Sequence, residues 1–527
     1  MTGEQLELLA QPSPEGEEDA SVGGGAPRPS ESARREGRPL RVLHLGNIAN
    51  NSYNNVKFLR RKGVEADVLI HDYTHIMSAP EWEDADFIGT VDQFHPRWDT
   101  VDLRGFARPD WFMDTEAKHV GASGQSIAMS GCALPPRAGR PELFEAASAL
   151  VRRWSVGTGP RASAAKLARQ WKGELRGATW VCRVRLGLGD EADLIRRLAR
   201  EHAGRLGSLD GRLTYAEIST FLGEHIRRLR RMAPSYDILH ACGTDPIDVL
   251  LAHTAPPYVA FEHGTLRDIP FENTARGRLL ALAYHMAGAV VITNPDVRGS
   301  AERLGLSNYV FVPHPVDETK YKPQRSEVGE AVRSRLGATL LLFAPARHDW
   351  NVKGNDVILK GFAEAVRRGV DACLVAANWG ADLAKSTQLA GDLGVASRIE
   401  WVEPLHKTDL VRYYNAADVV LDQFVLCTFG TTVPEAMACG VPVISRFDED
   451  VHRWCFEEMP PVVQAESAAE IGDAIAKLCS DRELRQSVGE RSRLWVERHH
   501  GWDLVSERLL SVYRDVLDGR RPQLPRA

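Results

Sequence analysis

Short apolar runs and helix-like stretches alternate in the first part of this chain. The apolar run Arg41–Leu45 is followed by a glycine, by a helical stretch at about Ser52–Lys62 and by a second apolar run, Ala66–Ile70. A strand, a glycine loop, a helix and another strand form a βαβ unit, which implies a parallel sheet. The pattern therefore predicts the α/β class.

The same alternation resumes near Tyr236, and a second series begins after Asp317. The predicted strands are Ile238–His240, Tyr258–Glu262 and Ala289–Thr293 in the first series and Thr339–Ala344, Ala372–Ala376, Ile399–Val402, Val419–Asp422 and Pro442–Ser445 in the second. Pro313 and Pro315 force extended backbone and mark the crossing between the two series. Two parallel-sheet domains in tandem leave a cleft at the carboxyl ends of their strands, where ligands bind.

The predicted domain boundaries follow from these elements. Residues 1–38 are rich in Glu, Gly, Pro and Ser without periodicity, which predicts a disordered tail. A first Rossmann-like domain is predicted over 39–315, with a mostly helical, basic insertion at about 140–232, and a second over 316–500. We expect residues 501–527 to form an amphipathic helix that packs back on the first domain.

Composition excludes several classes of protein. With 43% hydrophobic and 26% charged residues and a net charge of −6, the chain is typical of a soluble globular protein with no general affinity for nucleic acid. Its eight cysteines show no zinc-like spacing, which favours a reducing cytoplasm. The N-terminus lacks the features of a signal peptide, and the longest apolar stretch, Leu279–Thr293, is shorter than the about 20 residues of a membrane span.

One segment carries a charge that the rest of the chain does not share. From Gly131 to Arg231 there are 20 Lys and Arg residues against 10 Asp and Glu, so this segment carries +10 and the remainder −16. Such a surface suits an anionic partner: the inner face of a membrane, contacted peripherally, or a phosphorylated or lipid-linked acceptor. The alternative is a solvated helical insertion whose charges aid solubility.

The strongest chemical signal is the run CTFGTTVPEAMACGVPVI at residues 427–444. Gly430 allows a tight turn after a strand, and the N–H groups of Thr431 and Thr432 precede a helix, an arrangement that binds anions and sugar hydroxyls. Glu435 lies one turn into this helix. We expect its carboxylate to face the cleft and to accept hydrogen bonds from two ribose hydroxyls.

A second signal is the loop PARHDWNVKG at residues 345–354, between a strand and a helix. Arg347 can grip oxygens in a fork and Lys353 adds a point charge, which suits the diphosphate of a nucleotide sugar. Weaker candidates lie in the first domain. His263 ends a predicted strand at the cleft, and Gly46 and Asn47 lie on the first loop, where they would approach donor phosphate or acceptor.

The run at 427–444 resembles the family 4 glycosyltransferases, retaining enzymes of the GT-B fold in the group of glycogen synthase. Phe429, Gly430 and Glu435–Ile444 match the family signature in register, and the loop with Arg347 and Lys353 matches its Arg and Lys-Gly. The resemblance implies two Rossmann-like domains that face a cleft, and transfer of a sugar from a nucleoside diphosphate sugar to an acceptor with retention. It also implies donor binding by Phe429, Gly430, Thr431, Thr432 and Glu435, and it places a histidine, here His263, near the donor sugar.

The sequence departs from the family signature at Cys427, where the family has a glutamate that contacts the donor sugar. A neutral thiol is a poor hydrogen-bond acceptor, so the carboxylate is expected from Asp422 at the end of its strand, or else activity is reduced. The expected catalytic residues are therefore His263, Arg347, Lys353 and Asp422. Two alternatives stay open: a sugar-nucleotide 2-epimerase of the same fold, and a non-catalytic member that binds nucleotide sugar.

No cofactor and no metal are expected, because the nucleotide sugar is a substrate and the cations would replace a divalent ion. The string Asp84-Ala-Asp86 resembles the metal-binding motif of other transferases, but it follows Glu81-Trp-Glu rather than an apolar strand. We interpret it as a solvated acidic turn.

Overall fold

Two parallel β-sheets, one in each half of the chain, form the framework of the protein. A computed structural model describes residues 38–71, 75–114, 190–207 and 211–523, and both sheets belong to one compact unit. The sheets have the strand orders β3-β2-β1-β4-β5-β6-β7 and β10-β9-β8-β11-β12-β13. Their strands are β1 Arg41–Leu45, β2 Glu65–Ile70, β3 Phe112–Asp114, β4 Ile238–Cys242, β5 Tyr258–Phe261, β6 Ala289–Ile292, β7 Tyr309–Phe311, β8 Leu340–Ala344, β9 Ala372–Ala377, β10 Ile399–Val402, β11 Val419–Leu421, β12 Val443–Ser445 and β13 Val463–Gln464.

Helices cover both sheets, as expected for parallel strands joined by crossovers. In the first half they are α1 Asn51–Arg61, α2 Pro80–Asp84, α3 Asp190–Leu206, α4 Tyr215–Ser219, α5 Glu224–Met232, α6 Pro246–Ala252, α7 Ala275–Met286 and α8 Arg298–Arg303. In the second half they are α9 Val328–Leu336, α10 Asn355–Arg367, α11 Leu383–Asp392, α12 Lys407–Ala416, α13 Thr432–Ala438, α14 Glu449–His452, α15 Ala468–Ser480, α16 Arg482–His499 and α17 Trp502–Leu517. None of these helices is both long enough and apolar enough to cross a bilayer.

The predicted α/β class is confirmed, and the eight strands predicted within the two series are present with ends shifted by at most two residues. The sequence missed β3, β7 and β13, which have three, three and two residues. Runs of two or three residues carry few positions for an alternation of apolar and polar residues to show, although β11 and β12, which also have three residues, were predicted. The predicted disordered tail lies outside the described residues apart from Arg38, and so does most of the basic insertion.

The last helix joins the two halves. The backbone of Val316, in the crossing segment, donates to the His500 carbonyl at 2.8 Å and accepts from Trp502 N at 3.0 Å. The Trp502 ring then stacks on Phe58 of α1 at 5.6 Å between centroids. Through these contacts α17, the last helix of the second half, lies against the first sheet.

The acidic string Asp84-Ala-Asp86 is not the solvated turn that its sequence suggested. Asp84 bonds to Tyr53 at 2.8 Å and to Lys57 at 3.0 Å, and Lys320 of the second half lies 3.3 Å from the same carboxylate. Asp86 receives hydrogen bonds from Arg412 on α12 at 3.0 and 3.1 Å. Each of the two aspartates therefore forms an ion pair with a basic residue of the second half. These pairs join segments that are distant in the sequence, so the sequence alone did not predict them.

Candidate functional site

A cleft of about 480 Å³ opens between the carboxyl ends of the two sheets. The loops that follow β8, β9 and β10 and the turn before α13 form its wall in the second half. The wall in the first half is formed by the segments that follow β1, β2, β5, β6 and β7. The first-half lining residues include Ala49, Met77, Trp82, His263, Arg267 and Asn294, and those of the second half include Arg347, Lys353, Trp379, Glu403, Leu405, Lys407, Phe429, Gly430, Thr431 and Thr432.

Both cations predicted to bind phosphate line this cleft. Lys353 is half-buried, and its ammonium donates to Gln423 Oε1 at 2.7 Å. Burial lowers the pKa of Lys353, and the nearby charge of Asp422 opposes that shift. Arg347 is more exposed, at 44% of its side chain, and lies 3.3 Å from Asp349. The loop after β8 thus presents two positive groups, one held firmly and one at the edge of solvent.

The turn before α13 forms the adjacent part of the wall. Gly430 has φ of 55°, a left-handed conformation that side chains disfavour. This turn places Thr431 and Thr432 at the cleft surface, while Phe429 packs on His452 with ring centroids 4.7 Å apart. All four residues predicted for this turn therefore line the cleft.

Glu435 lies one turn into α13 but does not line the main cleft; it borders an adjoining cavity of about 20 Å³. Lys407, at the start of α12, forms an ion pair with its carboxylate. The Tyr414 hydroxyl donates to the other carboxylate oxygen at 3.2 Å. Burial raises the pKa of Glu435, and Lys407 opposes that shift. The carboxylate expected to meet a ribose is thus engaged by Lys407, which borders both cavities and which the sequence had not indicated.

His263 lies after β5 and lines the cleft as predicted. Asn51 Nδ2 lies 3.2 Å from His263 Nδ1. Since an amide nitrogen donates, this contact assigns Nδ1 as the acceptor and places the proton on Nε2. Burial, together with the charge of Arg267, lowers the pKa of His263 to about 4. The imidazole is therefore neutral at pH 7 and can donate one hydrogen bond.

A buried carboxyl group next to His263 was not anticipated. Burial raises the pKa of Glu262 to about 7, and Asn294 Nδ2 donates to it at 3.3 Å. The side-chain oxygen of Asn294, Oδ1, in turn accepts from Thr428 Oγ1 of the second half at 2.9 Å. This chain of polar groups connects the two halves beside the cleft.

The position of Asp422 differs from the expectation. It is 1% exposed and does not line the cleft, and burial raises its pKa to about 6 against the opposing charge of Lys353. Its carboxylate can therefore act on a ligand through Lys353 rather than by direct contact. Burial also raises the pKa of Cys427 to about 11, so that its thiol is protonated at neutral pH.

Gly46 and Asn47 stabilise the conformation of the loop that follows β1. Gly46 has φ of 72°, and a Cβ there would lie 1.9 Å from a carboxylate oxygen of Asp245. The Asn47 amide donates to Asn50 Oδ1 at 2.9 Å and accepts from Tyr53 N at 2.9 Å. Its side chain thus holds the loop and the start of α1, whereas the sequence had suggested donor or acceptor contact for both residues.

Sequence reasoning also missed Trp379 and Glu403–Leu405, which line the cleft after β9 and β10. Their positions could have been used to predict them, because each directly follows a predicted parallel strand, at the edge of the sheet where ligands bind. No charged motif accompanied them, and they were therefore overlooked.

Comparisons with known proteins agree with this architecture. The family described as glycosyl transferases group 1 matches residues 337–495. A D-inositol 3-phosphate glycosyltransferase from Corynebacterium aurimucosum is 26% identical over 370 residues, which cover 63% of this chain and 88% of that protein. Sucrose-phosphate synthase from Thermosynechococcus elongatus superposes with a TM-score of 0.54 at 13% identity, over 91% of this chain and 100% of that one. A glycosyltransferase from Rickettsia africae gives 0.52 at 12% identity, over 91% and 99%. The expected GT-B architecture is confirmed.

The ion pair between Glu435 and Lys407 yields a stability prediction. We expect Lys407→Met or Glu435→Gln alone to lower the free energy of unfolding by roughly 3–5 kcal/mol, because each leaves one buried charged or polar group without its partner. The double variant should lose clearly less than the sum of the two single losses. Urea unfolding of the four proteins measures this coupling. Lys360→Met, which breaks an exposed pair with Asp356, is the matched control and should cost under about 0.5 kcal/mol. Additive losses would show that the two charges do not interact.

Proposed function

Because this chain is a family 4 glycosyltransferase with the GT-B fold, we propose that it transfers a sugar from a nucleoside diphosphate sugar to an acceptor with retention of anomeric configuration. The donor would be held by the second half and the acceptor by the first. The observation that carries the proposal is the meeting of Arg347, Lys353 and Lys407 on one wall of the cleft, beside the Gly430 turn.

These three cations are suited to a diphosphate. Lys353 has a lowered pKa because it is desolvated, so its charged form gains most from a new anionic partner in the low-dielectric cleft. Arg347 reaches the same space from an exposed position and can close on a phosphate in a fork. As the bond to the sugar breaks, negative charge grows on the leaving diphosphate, and fixed cations stabilise that charge.

The nucleoside would occupy the part of the cleft beyond these cations. Trp379 offers an aromatic face, and the segment Glu403–Leu405 offers backbone groups at the end of β10. Glu435 remains the proposed ribose ligand. Since its carboxylate is paired with Lys407, ribose hydroxyls would bind it only as Lys407 turns toward the diphosphate.

The sugar would lie between His263 and the turn at Gly430. The neutral imidazole of His263 offers its Nε2–H to a sugar hydroxyl. Cys427 lacks the charge of the family glutamate. Asp422 would act as a positioning residue whose negative charge favours the protonated form of Lys353. We propose that no metal and no cofactor take part, because side-chain cations supply the positive charge at the leaving group.

The acceptor would be anionic. The similar protein from Corynebacterium aurimucosum is named for D-inositol 3-phosphate, and the arginine clusters on helices α3 and α5 of the first half would favour a phosphorylated or lipid-linked acceptor. On α3, Arg196, Arg197 and Arg200 are exposed. We propose a cytoplasmic protein that contacts the inner face of an anionic membrane through this surface.

The donor proposal is tested by binding and turnover. A thermal-shift screen of UDP-, GDP- and ADP-sugars would select the donor for use with each variant. We expect Lys353→Met and Arg347→Ala to weaken its binding about 10- to 100-fold, since a hydrogen bond to a charged group contributes about 1.5–3 kcal/mol. Lys385→Met, in an exposed pair with Asp382, is the control and should bind as the wild type does.

Protein stripped of divalent ions should keep its kcat, and restoration of a lost rate by Mn²⁺ would contradict the metal-free proposal.

The roles of Asp422 and Cys427 give a pH prediction. If the ionised carboxylate of Asp422 keeps Lys353 protonated, turnover should rise as the pH increases through about 6, where Asp422 loses its proton. Asp422→Asn should lower kcat strongly and abolish that rise, whereas Cys427→Ala should change kcat little. A pH–rate profile of the three proteins makes the comparison. Full activity and an unchanged profile in Asp422→Asn would remove Asp422 from the mechanism.

Membrane contact is tested by co-sedimentation. We expect the protein to pellet with anionic liposomes, less so as salt rises, and not with neutral liposomes, because each basic residue near an anionic surface contributes about 1 kcal/mol that salt screens. Replacing Arg196, Arg197 and Arg200 by alanine should abolish pelleting, while Arg335→Ala, an exposed arginine of the second half paired with Glu400, should not. Equal, negligible pelleting with both lipids would favour a soluble acceptor.

A further inference from the structure

A cluster of three metal-ligand side chains lies outside the cleft, on the first half of the chain. His71 directly follows β2, His225 is the second residue of α5, and Asp248 lies in the first turn of α6. These residues are far apart in sequence and come from three different elements. The transfer reaction described above uses none of them.

The ligand atoms of the cluster lie close together beside the carboxylate of Asp248. The rings of His71 and His225 stack with centroids 4.8 Å apart and planes inclined by 5°. His71 Nε2 lies 3.3 Å from one oxygen of Asp248, and His225 Nε2 lies 3.6 Å from the other. The three ligand atoms lie within 4.8 Å of one another.

We propose that His71, His225 and Asp248 bind a divalent transition-metal ion of the zinc class, with water in the fourth position. Zinc binds imidazole nitrogen and carboxylate oxygen at about 2.0–2.2 Å, so neighbouring ligands of a tetrahedral ion stand about 3.3–3.6 Å apart. The two nitrogen–oxygen distances in the cluster fall in this range, and each ends on a different oxygen of Asp248. Because the two imidazole planes are nearly parallel, the rings and the carboxylate would rotate to point at one bound ion.

A second cluster of three possible metal ligands is less suited to a cation. Asp86, His406 and Asp409 also bring three ligand atoms within 4.8 Å. There, however, Arg412 binds both aspartates, and its charge opposes that of a metal ion. For Asp248, by contrast, the described ranges contain no ion pair to a lysine or arginine, and its two partners are imidazoles, which bind zinc when neutral.

Solvent can reach the site, since the side chains of His71, His225 and Asp248 are 24%, 35% and 17% exposed. An ion held there would tie the start of α5 and the start of α6 to the end of β2. Its proposed role is structural. It would stabilise the folded protein by binding the native state and not the unfolded one.

The test is a titration of the full-length protein, with any histidine tag removed and metals stripped by a chelator, with Co²⁺ and then Zn²⁺. We expect one Co²⁺ per chain with the intense visible absorption of a tetrahedral site, displaced by Zn²⁺, and a higher melting temperature with Zn²⁺. His225→Gln and Asp248→Asn should weaken binding by roughly 100-fold or more, since losing even an outer-shell partner of a metal ligand costs 10- to 100-fold. Both variants should also lose the Zn²⁺-dependent rise in melting temperature.

Two controls make the result specific. His406→Gln alters the second cluster, and His95→Gln alters an exposed histidine 3.6 Å from Asp92; both should bind Co²⁺ as the wild type does. Circular dichroism of the metal-free variants shows whether they fold. Absent binding by the wild type, or unchanged binding by folded His225→Gln and Asp248→Asn, would overturn the proposal. Donor binding should be the same in these two variants as in the wild type, so this outcome is separate from that of the transferase proposal.

Discussion

Charges that leave water at the carboxyl ends of two facing sheets must find partners, and this constraint shapes the whole cleft. The central case is Glu435, whose buried carboxylate is held by Lys407 and Tyr414. An isolated buried carboxylate would cost several kcal/mol or take up a proton. The pair with Lys407 opposes the rise in the pKa of Glu435 that burial causes, and it also fixes the start of α12 against α13. A ligand that competes for either partner therefore acts on both helices.

The same constraint governs the contact between the halves. Asp84 gathers Tyr53 and Lys57 from its own half and Lys320 from the other. These ion pairs hold the two halves in register, together with an apolar core cluster that contains residues of both halves. The helix α17 adds a further connection, because the backbone of Val316 forms hydrogen bonds with His500 and Trp502.

The loss of the family glutamate at Cys427 changes the chemistry expected at the donor sugar. A protonated thiol adds no negative charge, and Asp422 lies too deep to replace it directly. What remains at the proposed position of the sugar is a neutral imidazole, His263, and a set of cations. We therefore expect catalysis to depend more on stabilisation of the leaving diphosphate than on hydrogen bonds to the sugar hydroxyls.

The sequence by itself determined the class of fold, the strands of both sheets longer than three residues, and the turn and loop that line the second half of the cleft. These features are local: alternation of apolar and polar positions, glycine turns and charged loops are written in consecutive residues. Only the tertiary structure decided the partners of those groups. Lys407 lies 28 positions before Glu435, and Lys320 lies 236 positions after Asp84. Which ammonium neutralises which carboxylate depends on where packing brings distant segments together, and that is why Glu435, Asp422 and Asn47 have surroundings that their sequence positions did not disclose.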